Sequence, residues 1–507
     1  MADLSLEETY AGKRILLSGT TGFLGKVVLS LLLTKFPSVG HIYVLIRPGP
    51  SDRAKDRFGK KVMASPAMRP VVEAHPNDLA EFIASKVTPV DGNIVKPDCG
   101  LSAETLAQFR EKGLDLILNS AGLVDFDPSV DAALSINAVG TQNVVKLAKE
   151  LNAALVHVST CFVAGQRSGQ ILEDEPVLGR LPDAEDPRAS DFDHEHEIQR
   201  LGELAADVRA RADDTATKAQ WRREAISKLA DEGRDASDGV ALKAAVLRQK
   251  KLWLSQELKR VGMERARFWG WTNTYTFTKA VGEMVVAKAA NEGLAAAILR
   301  PSIVESAHTF PLPGWNEGFT TTAPLILMIR QGLLHFPYAD DLILDVIPCD
   351  MVASAILAAG AACLTRTNKL VYQAASGDVN PLTIRKALEL TAYEGKMRAR
   401  ARETKVRYSR PGPAFVEWFK RHYETQPLEI HKFNRFSTPR LKAMATSFIK
   451  TIDDIGPDRL GWMREPMATA RDIAEFVEES SSRVGMVLDL FMPFVVENKY
   501  VFRCDNT

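Results

Sequence analysis

Cysteine is scarce and unpatterned. The 507 residues hold five, Cys99, Cys161, Cys349, Cys363 and Cys504, with no C-x-x-C pair and no metal-ligand spacing. An odd, scattered set argues against a disulfide scaffold and reads as the reduced thiols of an intracellular, cytoplasmic protein. Excess charge is missing as well: 64 basic and 64 acidic side chains cancel. No global basic field is therefore available to recruit nucleic acid. No apolar run reaches the roughly 18 residues of a membrane-spanning helix. The opening MADLSLEETYAGK is acidic and polar, unlike a secretory leader. The zinc spacing H-E-x-x-H is absent, and DHEHE at 193–197 reads as an acidic helix start favoured by the helix dipole, so no metal is expected. Internal repeats and low-complexity linkers are also lacking. What is present is a composition 46% apolar and 25% charged, enough for a large core, in a chain long enough for two to four structural units.

From residue 13, short apolar runs alternate with helical stretches. KRILLSG, HIYVLIR, VTPVDGNI, LDLILNSAG and ALVHVSTCFVAG read as strands, and FLGKVVLSLLLTKF, about 102–112 and about 129–150 as the helices between them. Strands joined by helical crossovers predict an α/β fold with a Rossmann-type doubly wound parallel sheet. The rhythm stops between about 180 and 270, where charge-rich helical sequence forms an insertion, and resumes with AAAILRPSIVES, LILDVIPCD and KLVYQAASGD. From NPLTIRKALELTAYE onward the pattern is mainly helical. The expected division is a cofactor-binding domain over 1–379, carrying the insertion, and a helical C-terminal domain over 380–507.

LLSGTTGFLGK sets Gly19, Gly22 and Gly25 between the first strand and the first helix. Glycines there allow a tight turn and let backbone N–H groups approach a pyrophosphate at a helix N-terminus. An NAD site favours an acid about 20 residues further on, at the end of the second strand. That strand ends Leu45-Ile46-Arg47, with no carboxylate. Arg47 suits a 2′-phosphate through charge-assisted bonds, with Arg57 as a second candidate, so NADPH is the expected cofactor. Gly92-Asn93-Ile94 and Asn119-Ser120-Ala121-Gly122 lie at carboxyl ends of parallel strands, where ligands bind in such sheets. Asn137, in the helical stretch that follows, reads equally well as a structural hydrogen-bonder or as a catalytic residue.

In GWTNTYTFTKAVGE, Tyr275 and Lys279 are four apart where a helix should open, so one turn puts them on one face. Alone, Y-x-x-x-K is a common chance pattern. HVSTCFVAG adds a strand end at Ser159-Thr160 on the same expected edge. Glycine loop, strand-end hydroxyls and Y-x-x-x-K, in this order, resemble the extended branch of the short-chain dehydrogenase/reductase superfamily. The resemblance implies a catalytic set of Thr160, Tyr275 and Lys279. It implies cofactor contacts from Gly19, Thr21, Gly22, Phe23, Leu24, Gly25, Asn93, Ile94, Asn119, Ala121, Pro301 and Ile303, beside the two arginines and Tyr275 and Lys279 themselves. A free tyrosine has a pKa of about 10, and a nearby ammonium is expected to lower it.

Thr160 and Tyr275 stand 115 residues apart, farther than is usual in that superfamily, because the insertion lies between them. The insertion, the TYTFTK core, LRPSIVES, PGWNEG (313–318), DVIPCDMVA (345–353) and the helical end together resemble fatty acyl-CoA reductases of the male-sterility type. That likeness implies NADPH-dependent reduction of a long-chain acyl-CoA or acyl-carrier-protein thioester, through the aldehyde, to a primary alcohol. No cysteine nucleophile is needed, and Cys161 should face away from Thr160. The family's third-strand Gly-Asp-Ile is Gly92-Asn93-Ile94 here, which alters one adenine contact.

An aldehyde-forming reductase belongs to the same reading. A nucleotide-sugar epimerase or dehydratase shares the scaffold but favours an acid where Arg47 stands. A terminal reductase module would need a carrier domain, and no G-x-D-S-type serine site is found. A cofactor-sensing scaffold would tend to lose Tyr or Lys, and both are kept. KMRARARETKVRYSR (396–410) has seven basic residues against one acid. It reads as a solvated face or as a contact for coenzyme A phosphates, an acidic carrier protein or an anionic membrane surface. TTAPLILMIRQGLLHF (321–336) reads as an apolar wall and as a candidate acyl tunnel.

Overall fold

The computed structural model describes residues 5–402 except 184, 319–321, 332, 334, 340 and 341, then 425–455, and from 471 onward all but nine scattered positions. Seven of the described strands form the main sheet: β1 Arg14–Ser18, β2 His41–Ile46, β3 Val87–Asp91, β4 Leu116–Asn119, β5 Ala154–Val158, β6 Ala296–Pro301 and β7 Val371–Ala374. Their order is β7-β6-β5-β4-β1-β2-β3, and every pairing is parallel. The order reverses between β1 and β4, which opens a crevice at the carboxyl ends of those strands.

The near-continuous apolar strands follow from burial on both faces. Leu16, Ile117, Leu155 and Ile298 point into one core, and Leu17, Leu118, Val156 and Leu299 into the other, so alternate residues serve opposite layers. Around the sheet lie α1 Phe23–Lys35, α2 Ala103–Lys112 and α3 Gly140–Leu151. The insertion is three helices, α4 His194–Asp213, α5 Thr215–Asp231 and α6 Gly239–Phe268. Each starts at an aspartate whose side chain accepts from the first turn: Asp193, Asp214 and Asp238. DHEHE is thus a helix cap, with Glu197 turned inward onto Arg265 (Oε2 to Nε 2.8 Å). Among the described residues no group of three or more potential metal ligands is found.

α7 Thr274–Asn291 returns the chain to the sheet, and α8 Cys349–Leu364 and α9 Ile384–Arg402 follow. The run LILDVIPCD does not join the main sheet, because Val346–Pro348 pairs with Ile303–Glu305 in a separate two-stranded ladder. The C-terminal part holds α9 and the helices Ile430–Phe436 and Thr438–Ile455, together with two short strands that reach back. Gln426–Glu429 pairs with His335–Tyr338, and Tyr500–Phe502 with Gly169–Ile171. Of the basic stretch, 396–402 ends α9, and 403–410 lie outside the described residues. No described helix is long and apolar enough to cross a membrane.

Candidate active site

The loop after β1 is shaped by contacts that only glycine permits. Gly19 has φ +78°, and a Cβ there would sit 2.5 Å from the Ser120 carbonyl oxygen. A Cβ on Gly25 would lie 2.4 Å from the Gly19 carbonyl oxygen, so α1 packs directly on the turn. Gly22 begins α1 with no side-chain cap, so the first N–H groups of the helix have no side-chain partner there. Ser18 fixes the neighbouring edge: its Oγ donates to Asn119 Oδ1 (2.6 Å) and accepts from Ala121 N (3.2 Å).

This edge borders a cleft of about 580 Å³. Gly19, Thr21, Gly22, Phe23, Leu24 and Gly25 line it, with Arg47, Arg57, Asn93, Ile94, Ala121, Thr160, Tyr275, Lys279, Pro301 and Ile303. Asn119 is the exception and a correction. It is fully buried beneath the floor, its oxygen held by Ser18 and its Nδ2 by His157 Nδ1 (3.1 Å). Its side chain braces the strand ends and is not part of the cleft wall. At the far end Arg57 Nη1 donates to the Arg47 carbonyl (2.6 Å), which ties the Arg57 guanidinium to the backbone just after β2. Asn93 Oδ1 accepts from Val95 N (3.3 Å), closing a local turn.

Tyr275 and Lys279 occupy the other end. Asn273 starts α7 by accepting from Thr276 N (2.8 Å), and both side chains are buried, at 7% and 3% exposed. Burial pushes the Tyr275 phenol up to about 12, opposed by a hydrogen bond with the Thr160 hydroxyl. Desolvation governs this phenol, and the expected depression by the lysine does not set its direction. Lys279 donates to the Val158 carbonyl (2.6 Å), and burial lowers it to about 8 against the raising effect of Glu283. His157, buried below, is held well under its ordinary value by desolvation first and Lys279 second.

Thr160 follows β5 in extended conformation, with its Oγ1 accepting from Phe162 N (3.3 Å) and donating to the Pro301 carbonyl (3.4 Å). Cys161 points away, its thiol donating to the Arg300 carbonyl (2.9 Å), and desolvation raises it well above an ordinary thiol. It is an inert buried group, not a nucleophile. Asn137 resolves as a brace: Oδ1 accepts from Leu123 N (2.9 Å) and Nδ2 donates to Thr278 Oγ1 (3.1 Å), tying the loop after β4 to α7.

Three features were not anticipated. Glu283, one turn beyond Lys279, takes Arg300 of β6 in a bidentate buried pair (2.9 and 2.6 Å). Glu317 of PGWNEG lines the cleft, where Lys26 and Ser65 (2.7 Å) hold it and Trp315 stacks on Phe23 (5.1 Å). Phe126 meets the Tyr275 ring edge-on (6.1 Å) and also Phe491 and Phe494, so that C-terminal segment adjoins the Tyr275 end of the cleft. Leu325, Met328 and Phe336 of the expected apolar wall sit in that same apolar cluster and do not line the cleft.

Residues 17–356 match the male sterility protein family. Fatty acyl-CoA reductase 2, chloroplastic, of Arabidopsis thaliana is 33% identical over 387 residues, covering 75% of this chain and 56% of that one, so the chain spans little more than half of that relative. Fatty acyl-CoA reductase 1 of the same plant is 32% identical over 387 residues, covering 75% and 70%. The alcohol-forming fatty acyl-CoA reductase of Simmondsia chinensis is 28% identical over 385 residues, again covering 75% and 70%. In fold, the terminal R domain from the myxalamid PKS-NRPS biosynthetic pathway superposes with a TM-score of 0.52 at 19% identity, over 97% of this chain and 83% of that one. The family match takes in the glycine loop, the strand-end hydroxyls and the Tyr-Lys helix alike, and the chain belongs to the male-sterility-type fatty acyl-CoA reductase family of nicotinamide-dependent oxidoreductases.

Proposed function

We propose that this protein reduces long-chain fatty acyl thioesters with NADPH, through the aldehyde, to primary alcohols, taking acyl-CoA or acyl-carrier protein as donor. The observation that carries this reading is the convergence of a buried phenol, a hydroxyl and a lysine at one end of a cleft whose other end offers two arginines and uncapped helix N–H groups. The fit to a phosphorylated dinucleotide is direct. The glycine turn has room only for backbone, suiting a pyrophosphate at α1, and Arg47 and Arg57 suit a 2′-phosphate. Gly19, Thr21, Gly22, Phe23, Leu24, Gly25, Asn93, Ile94, Ala121, Pro301 and Ile303 form the remaining wall.

When bound, NADPH supplies hydride to the acyl carbon. Tyr275, neutral far above physiological pH, is the proton source for the oxyanion that develops on the substrate. Thr160 adds a second hydrogen bond, and the thiol leaves to give the aldehyde. The same two hydroxyls serve the second reduction. Each round consumes one NADPH and one proton. Lys279 supports the cofactor ribose and holds positive charge beside the site. The free cysteine thiols, four of them buried, suit a reducing cytoplasm, with peripheral membrane contact as the route of acyl supply.

Two results are expected. Arg47→Ala should weaken NADPH about 10- to 100-fold, the worth of one charge-assisted contact, and leave NADH unchanged, as read by thermal shift and titration. NADH binding more tightly than NADPH to the parent protein would refute the cofactor assignment. The second concerns pH. Lys279 is cationic below about 8 and loses its charge above, whereas Tyr275 stays protonated to about 12. With His157 held neutral below it, kcat/KM for NADPH should fall above about pH 8 with one proton. Lys279→Met should flatten that limb.

A further inference from the structure

Among the described residues, most buried hydroxyls near the cleft are committed: Ser18 to Asn119, Thr278 to the α7 backbone, Thr160 to Phe162 and Pro301. Ser159 and Ser302 are not. Each is 6% exposed, each lines the cleft, and neither Oγ has a hydrogen-bond partner. A buried hydroxyl without a partner is unfavourable, so two on one wall call for a ligand that satisfies them. Their backbones are fixed. Ser159 N donates to the Leu299 carbonyl (2.7 Å) and Ser302 N to the Ala374 carbonyl (2.9 Å), which leaves only the side chains to turn. They follow the adjacent parallel strands β5 and β6, on either side of the Thr160–Pro301 bond.

We infer that the Ser159 and Ser302 hydroxyls together hold the carboxamide of the nicotinamide ring, an assignment that rests on the cofactor reading above. The chemistry selects that group. A primary carboxamide presents a donor and an acceptor side by side, and a pair of hydroxyls, each able to give and to take, matches both. The thioester carbonyl offers only an acceptor, and Tyr275 and Thr160 already answer it. The 2′-phosphate belongs at the arginine end. These serines are positioning residues: they fix the ring against the reacting carbon and take no part in proton transfer.

The test compares NADPH with 2′-phospho-ADP-ribose, which lacks the nicotinamide, by titration calorimetry on the parent, Ser159→Ala, Ser302→Ala and the double variant. The double variant is expected to lose roughly 5- to 50-fold in NADPH affinity, from two ordinary hydrogen bonds, while 2′-phospho-ADP-ribose binds unchanged. Because each hydroxyl is unpartnered, the cofactor-free variants should melt at or above the parent's temperature. Unchanged NADPH affinity in the double variant would overturn the inference, as would equal weakening of both ligands. If the parent binds NADH and ADP-ribose in place of the phosphorylated pair, the phosphate assignment fails, and the same comparison with that pair decides the serines. If the parent binds no nicotinamide dinucleotide, both the cofactor reading and this inference fall.

Discussion

Tyr275→Phe is expected to lower kcat on the order of 10³-fold at neutral pH while NADPH affinity and folding hold. The substitution deletes one oxygen and keeps the ring, whose edge contact with Phe126 and burial on α7 are what pack the site. What is lost is a buried phenol in the cleft whose protonated state persists across the working pH range. Steady-state rates with a single acyl-CoA, beside a cofactor titration of the same preparation, separate the two quantities. A variant that retained a tenth of the parent rate would move the proton source elsewhere, to Thr160 or to water.

Glu283→Gln should produce the largest loss of stability, about 3–5 kcal/mol, because it leaves the Arg300 guanidinium buried without its counter-ion. The pair is buried, with side chains 9% and 2% exposed, so solvent screens the uncompensated guanidinium poorly. A lower urea midpoint measures the effect. Glu283→Leu with Arg300→Met removes both charges and should recover most of that midpoint. The pH profile distinguishes the second role of the pair. Glu283 raises the Lys279 pKa, so its removal should move the alkaline limb of kcat/KM for NADPH further below pH 8, in the double variant too. A limb that stayed in place would reduce Glu283 to a structural residue.

The sheet was readable because its strands are short apolar runs between amphipathic helices, and seven of the eight expected runs join it in parallel, LILDVIPCD being the exception. The insertion was readable from the lapse of that rhythm, since α4 to α6 have charged faces and aspartate caps. The cleft was readable where a residue type has one stereochemical purpose, as at Gly19 and Gly25. Other features depend on facts no local pattern carries. Asn119 looks like a cleft residue by its place at a strand end, but pleating turns its side chain down onto Ser18 and His157. Glu317 lies nearly 300 residues from Lys26, and only the fold of PGWNEG over α1 brings them together. The three-residue strand Tyr500–Phe502 is too short to show a period, and its partner is Gly169–Ile171. Charge spacing gave the wrong direction for Tyr275, because it cannot see the burial that raises the phenol.

In the proposed reaction one site carries an acyl thioester through two reductions. The decisive measurement counts NADPH oxidised per thiol released from hexadecanoyl-CoA, with products identified by gas chromatography and Tyr275→Phe as the control. Two NADPH per thiol, hexadecanol as the product and loss of both reductions in the variant are the predicted result. One NADPH per thiol with hexadecanal accumulating, or thiol release that survives in Tyr275→Phe, would contradict it.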